Sequence, residues 1–288
     1  MHPLLAVAGR FAHTARMSSS SRRMVVLCVA IALAACIFAL VVPTLESVRG
    51  IYGPTVADAG RPMLAVLAIL AAFAATTALA AFAGRTLNAV VGLFVLGCGV
   101  GMLAMQSGAV RDLVFGESNL RLAAVECALW AVLVAAGSHV IFRIAGRLPD
   151  VQETHEDDID SPYGKSARLS WLAGIAGVAA AWLCAATLTK GQAVGAAVVG
   201  GFVSGALGRM LAPRTTPVYL AAAPMAAFAI VYAFLAFTVG GDLPAALVDG
   251  AFPRLLRIMP VDMAAGALAG TSLGFGFMRN FTEQKATA

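Results

Sequence analysis

The sequence predicts an all-α fold, a polytopic membrane bundle of about eight transmembrane helices. Its 288 residues are 60% hydrophobic and only 12% charged, whereas soluble domains carry about 25% charged residues. The mean hydropathy is +0.86. The apolar residues also form stretches of about 20 residues, the length that crosses a bilayer. These observations exclude a soluble globular protein.

Eight apolar stretches are the predicted spans, four on each side of a hydrophilic segment at residues 143–170. The chain therefore divides into a first membrane half, residues 24–142, and a second, residues 171–278. The spans are Met24–Val42, Met63–Phe82, Leu87–Met105, Leu122–Phe142, Trp171–Leu188, Ala193–Leu211, Val218–Phe237 and Val261–Met278. Several are apolar on all sides, as expected of helices surrounded by lipid or by other helices.

The N-terminal segment, residues 1–23, is basic and precedes the first apolar stretch. Ser21-Arg22-Arg23 resembles the start of a twin-arginine signal, and Leu33 to Cys36 fits a lipoprotein cleavage box. The apolar run nevertheless continues to Val42, beyond the roughly 7–15 residues of a signal sequence. This length favours a retained first span and leaves open whether residues 1–23 all remain in the mature chain.

The basic residues predict the orientation. With the N-terminus inside, the inner segments contain 13 lysines and arginines and the outer segments contain 7. Positive residues accumulate on the cytoplasmic side, so we expect both termini, the tail at residues 279–288 and the segment at residues 143–170 to be cytoplasmic. We expect a multi-pass protein of a bacterial inner membrane.

The hydrophilic segment contains an acidic run at residues 153–160. Its spacing lacks the order of a calcium-binding loop, and its polarity predicts a solvated linker; a docking site for a cytoplasmic partner is the alternative. The net charge of +5 comes from basic residues scattered among the loops, so no nucleic-acid partner is implied. The five cysteines have no paired spacing, and no metal or cofactor is predicted.

Small residues recur four positions apart in several spans. Glycine at this spacing lets helix backbones approach closely in lipid, which predicts helix packing or, alternatively, the contact surface of a homo-oligomer or a membrane partner. Pro224 lies within the seventh span and predicts a kink. The glycines are Gly97 and Gly101, Gly201 and Gly205, and Gly266, Gly270 and Gly274.

Three ionisable residues lie in or beside the spans, where a charge is costly and often functional. Glu126 is about one turn inside the fourth span from its outer end, and His139 is near the inner end of the same span. Their separation of about 20 Å along the helix prevents a shared site. Asp262 follows Pro260 at the outer start of the eighth span, where the positive end of the helix dipole would stabilise its carboxylate.

The outer segment at residues 240–259 is amphipathic and contains Arg254 and Arg257. We expect it to lie along the outer interface, where it could act as a lid if Glu126 turned inward and paired with one of these arginines. In the alternative, Glu126 reaches the lipid headgroups and contacts nothing.

The motifs of hydrolases, intramembrane metalloproteases, phosphate-binding loops and haem attachment are absent, which lowers the expectation of an enzyme. The glycine-rich helices and the few charges in the spans favour a non-enzymatic membrane component of an envelope complex. The alternative is a small-solute transporter or exporter with a polar outer vestibule, indicated by Pro224 and by the outer carboxylates.

Overall fold

A computed structural model of the chain describes residues 19–116, 119–146, 165–212, 216–239 and 242–286. Within these residues there are eight long helices, labelled α1 to α8 in chain order. They are α1 Ser19–Ala39, α2 Pro62–Thr86, α3 Ala89–Gln106, α4 Leu120–Ala145, α5 Lys165–Cys184, α6 Lys190–Leu211, α7 Pro217–Thr238 and α8 Pro260–Ala286. Between them lie the short α-helices Val110–Val114 and Leu243–Val248 and the 3-10 helices Val42–Leu45, Val56–Asp58 and Arg254–Arg257.

Seven of the long helices, all except α5, are long and apolar enough to cross a membrane. The apolar part of α5, Arg168–Cys184, is shorter. The predicted fifth span continued to Leu188, but the helix ends at Cys184 because the chain turns here, and the side chain of Gln192 accepts a hydrogen bond from the Thr187 N–H at 2.6 Å. The described part of the chain is therefore all-helical with seven candidate spans, and an eighth remains a prediction.

The helix boundaries follow local signals in the sequence. Asn88 and Asn119 precede α3 and α4, and their side chains accept hydrogen bonds from the first-turn N–H groups of Val91 and Arg121. Three other long helices begin at a proline, whose missing N–H costs nothing in a first turn. Since α4 continues to Ala145 and α5 begins at Lys165, both ends of the predicted linker are helical. Residues 1–18 and the acidic run at residues 153–160 lie outside the described residues.

The two halves of the chain pack into one bundle around α8. This helix contacts α6 and α7 of its own half and α3 and α4 of the first half, and α4 also packs along α7. More of α8 is buried than of any other candidate span, which explains why small residues dominate its sequence. Helix α5 packs against α6 and α7, while α1 and α2 cover α3.

Glycines line the contact between α6 and α8. A Cβ atom added to Gly270 would overlap the carbonyl oxygen of Val198, and one on Gly274 would lie 2.5 Å from the carbonyl oxygen of Phe202. The Thr271 hydroxyl donates a hydrogen bond of 3.2 Å to the Gly201 carbonyl across the same contact. The two backbones therefore touch along this line, which only residues without a side chain permit. The predicted members Gly205 and Gly266 occupy the same contact, against Thr271 and Ala197.

The other predicted glycine pair is only half in contact. A Cβ atom on Gly97 would lie 2.5 Å from the backbone nitrogen of Ala269 in α8. A Cβ atom on Gly101 would have no neighbouring atom within 4 Å. The expectation of a contact at Gly101 is therefore wrong. Pro224 is buried within α7, next to the point where Gly174 of α5 lies against the Ala223 carbonyl.

Candidate functional site

Buried charged side chains gather at one end of the bundle, called here the polar end, where α6 and α8 begin and α3 ends. Lys190, the first residue of α6, extends its side chain into this end. Its Nζ atom lies 2.7 Å from Asp262 Oδ1, and it donates hydrogen bonds to the Ser107 hydroxyl at 3.0 Å and to the Gly108 carbonyl at 2.9 Å. A single ammonium group therefore joins α6 to both α3 and α8.

The Lys190–Asp262 contact is an ion pair between largely buried groups. The Lys190 side chain is 15% exposed and the Asp262 side chain 0% exposed. The 2.7 Å between Lys190 Nζ and Asp262 Oδ1 is the distance of a charge-assisted hydrogen bond. Attraction between full charges in a medium of low polarity is strong and offsets part of the cost of burying both.

Asp262 also acts within its own helix start. Its Oδ2 atom accepts a hydrogen bond of 3.0 Å from the Met259 N–H, and Pro260 begins the helix as the sequence indicates. This geometry agrees with a carboxylate at the positive end of a helix dipole. No local signal in the sequence indicates the lysine partner, because Lys190 lies 72 residues away, between two predicted spans.

Glu126 points into the bundle, where its residue exposure is 9%. Its Oε2 accepts a hydrogen bond of 2.8 Å from the Val56 N–H, and its Oε1 accepts one of 3.2 Å from the Trp130 indole one turn along α4. Six residues separate Glu126 from the start of α4, a depth of about 9 Å. The carboxylate is thus withdrawn from water and held by two N–H donors.

The predicted pairing of Glu126 with an arginine is wrong for the described residues. Arg257 donates instead to the carbonyl oxygens of Ala186 and Phe252, and Arg254 lies over the Trp182 ring. Two carbonyl oxygens near the turn hold the Arg257 guanidinium, whose Nε atom has no hydrogen-bond partner among the described residues. The observed partners of Glu126 are instead Val56 and Trp130. The alternative, in which Glu126 contacts only headgroups, is wrong as well.

A loop from the first half covers Glu126, in place of the predicted lid at residues 240–259. This covering loop, residues 45–59, is closed by hydrogen bonds such as that from the Gly53 N–H to the Leu45 carbonyl, and the Gly108 N–H donates to the Gly53 carbonyl at 3.2 Å. The 3-10 turn Val56–Asp58 places the Val56 N–H against Glu126. In the segment at residues 242–259, the apolar side chains that pack onto the bundle are Leu247, Phe252, Leu255, Leu256, Ile258 and Met259.

A narrow pocket lies between the covering loop and the helices. It has space for about one water molecule. Its polar lining comes from Glu126, Ser107 and Thr55, and Val261 of α8 contributes from the second half. Close by, the Tyr232 hydroxyl of α7 is buried without a hydrogen-bond partner among the described residues and lies within electrostatic range of Glu126 and Asp262.

The remaining predicted residue, His139, is exposed near the far end of α4 and does not join this cluster. Arg254 and Arg257 lie at the rim of the polar end. No group of three or more histidine, cysteine or acidic side chains arranged to hold a metal ion occurs in the described ranges.

Comparison with known proteins does not assign the chain to a family. The chain matches no protein-family model, no curated protein and no solved structure. The fold and the apolar spans define its class, a multi-pass helical membrane protein, and a narrower function has to be argued from the polar end.

Proposed function

We propose that the chain is a small-solute transporter of the bacterial inner membrane, with the polar end as the closed outer gate of its path. The observation that supports this proposal is the position of Glu126, Lys190 and Asp262. All three are withdrawn from water, they come from both halves of the chain, and they lie beside a pocket at the contact between the halves. Transporters commonly bind their solutes between two halves of a bundle.

Energetic reasoning favours a functional role for these charges. On insertion scales a charged side chain costs about 2.5–3.5 kcal/mol at the bilayer centre, and less near a helix end, where Lys190 and Asp262 lie. Well-packed apolar residues often replace a buried ion pair with no loss of stability. A purely structural joint between α3, α6 and α8 therefore does not require Lys190 and Asp262. In a gate, these helices must separate and water must enter between them, and charged groups favour this step because water stabilises them.

The charge balance favours a positively charged solute. Three carboxyl groups lie near the pocket. Asp262 pairs with Lys190, Glu126 lines the pocket, and Oδ2 of Asp58 in the covering loop accepts the hydroxyl of the lining residue Thr55 at 2.6 Å. Beside the pocket itself, as distinct from the rim that carries Arg254 and Arg257, these three carboxyl groups outnumber the one ammonium group. Acidic groups at a site raise the local concentration of cations.

The test is flux through the purified full chain in liposomes. Proton movement is followed with an entrapped pH dye, and uptake of sodium, potassium and methylammonium is measured with radioactive or optical probes. We expect one of these cations to cross in the wild-type protein and Glu126→Ala to change its rate severalfold. Asp249→Asn, which removes an exposed carboxylate near the same end, serves as the matched control and leaves the rate unchanged. No flux above that of empty liposomes for the whole panel contradicts the proposal.

A second function, a non-enzymatic component of an envelope complex, is favoured by a different observation. Glu126 and Lys190 are fully engaged by protein atoms, and α6 touches α8 along its glycines, as in a rigid joint. In that case the liposomes show no flux. The protein extracted gently from native membranes would also run as an assembly much larger than its 29.4 kDa chain in a micelle. A transporter that works alone gives the opposite pair of results.

A further inference from the structure

Two arginines in the 3-10 helix Arg254–Arg257 carry charges that no carboxylate balances in the described part of the chain. Arg257 donates to two carbonyl oxygens, that of Ala186 at 2.6 Å and that of Phe252 at 3.0 Å. The Arg254 guanidinium lies 5.6 Å from the centre of the Trp182 ring. Among the described residues neither arginine has a carboxylate within ion-pair distance, unlike Lys190, which pairs with Asp262.

The two guanidinium groups act on each other. Partial burial, and secondly the charge of Arg254, lower the pKa of Arg257. Leu255 and Leu256 between them are buried, which fixes the turn on the bundle and prevents the arginines from moving far apart. The turn therefore maintains a local excess of positive charge that an anion would relieve.

This charge lies beside the surface of α5 that faces outward. Trp182 is 45% exposed and Leu183 is 63% exposed, as expected of side chains in contact with lipid. Tryptophan is enriched at the boundary between the hydrocarbon and the headgroups, and Trp182 is near the end of its helix. The nearest anions at this depth are lipid phosphates.

We infer that Arg254, Arg257 and Trp182 form a binding site for the phosphate group of an anionic phospholipid. Guanidinium groups bind phosphate through charge-assisted hydrogen bonds, and the Arg254 guanidinium donates to no protein acceptor within the described ranges. The acyl chains would run along the exposed side chains of Trp182 and Leu183. This inference does not depend on the transport proposal, because the site lies at the rim and not in the pocket.

Arg121 provides a matched comparison. Its guanidinium also lies over an aromatic ring, that of Phe237 at 5.4 Å, and it lies at the same end of the bundle. It has no second arginine in its own turn. Removing its charge therefore controls for general electrostatic attraction to anionic lipid.

The experiment measures lipid binding to the purified full chain in neutral detergent by native mass spectrometry. The ligands are phosphatidylglycerol, phosphatidylcholine and inorganic phosphate. Each arginine near an anionic surface contributes about fivefold in affinity, so Arg254→Gln should weaken phosphatidylglycerol binding about fivefold and the double change with Arg257→Gln about 25-fold. Arg121→Gln should leave the affinity within about twofold.

The same titrations can overturn the inference. Equal affinity for phosphatidylcholine and phosphatidylglycerol, or an equal loss in Arg121→Gln, would show general lipid adsorption instead of a site. Inorganic phosphate that binds as tightly as the lipid would assign the site to a free anion. Arg257 also holds two carbonyls, so the double variant could fail to fold. In that case Arg254→Gln decides alone, because the Arg254 guanidinium has no hydrogen bond among the described residues and lies over the Trp182 ring. An unchanged affinity in this variant refutes the site.

Discussion

The ion pair of Lys190 and Asp262 predicts an unequal response to its two single substitutions. In Lys190→Met, the Asp262 carboxylate remains fully buried with the Met259 N–H as its one donor. Removing one partner of a buried pair costs about 3–5 kcal/mol. In Asp262→Asn, the lysine is still 15% exposed and keeps the Ser107 and Gly108 acceptors, so we expect a smaller loss of about 1–3 kcal/mol.

The double variant Lys190→Met with Asp262→Asn removes both charges, and we expect its stability to lie within about 2 kcal/mol of the wild type. The free energy of unfolding is measured by titrating the protein in mild detergent with sodium dodecyl sulfate and following helicity by circular dichroism. The sum of the two single losses in unfolding free energy should then exceed the loss in the double variant by at least about 2 kcal/mol, as expected of coupled residues. Additive losses, or a larger loss in Asp262→Asn than in Lys190→Met, would refute the reasoning from burial.

Three further predictions follow from the packing, the covering loop and the topology. Gly270→Leu should separate α6 from α8 and lower the stability strongly. Gly276→Leu should be tolerated, because its side chain would enter open space on the same helix. Equal stability of both variants in detergent contradicts the packing. Glu126→Ala should cost about 1–3 kcal/mol and accelerate hydrogen exchange at the Val56 amide, while Asp249→Ala should do neither; an unchanged Val56 exchange rate would show that Glu126 does not hold the loop. Reporter fusions at Asp158 and Asp249 should report opposite sides of the membrane, and the same side for both would contradict the eight-span model.

Much of the helical framework is predictable from the sequence, because membrane spans have simple local signals. Apolar length predicts the helices, and Pro260 marks a helix start that the structure places at the same position. The error at the end of α5 has a local cause as well: Ala185 and Leu188 continue the apolar composition beyond the last helical turn at Cys184. Hydropathy alone does not detect such a turn.

The candidate site is less predictable, because its contacts join distant segments. The partner of Asp262 is a lysine from another helix, and a lone lysine between two spans is typical of an ordinary loop. Glu126 is held partly by a backbone N–H of Val56, a donor that every residue except proline supplies, so side-chain chemistry gives no signal for it. The inward orientation of Glu126 is one of the two predicted alternatives. Its partner Val56 cannot be predicted without knowing the path of the covering loop.

The most direct test of the gate is whether the pocket opens while the protein remains folded. Val261 lines the pocket and is buried. The variant Val261→Cys is made in a chain whose five native cysteines are replaced. Membranes that contain it are treated with a maleimide that does not cross the bilayer, and the rate of labelling is compared with the rate of global unfolding. A gate predicts labelling much faster than unfolding, and faster still when Glu126→Ala releases the covering loop. Labelling only at the rate of unfolding, with no change in the Glu126→Ala background, would contradict the gate and identify the polar end as a static joint.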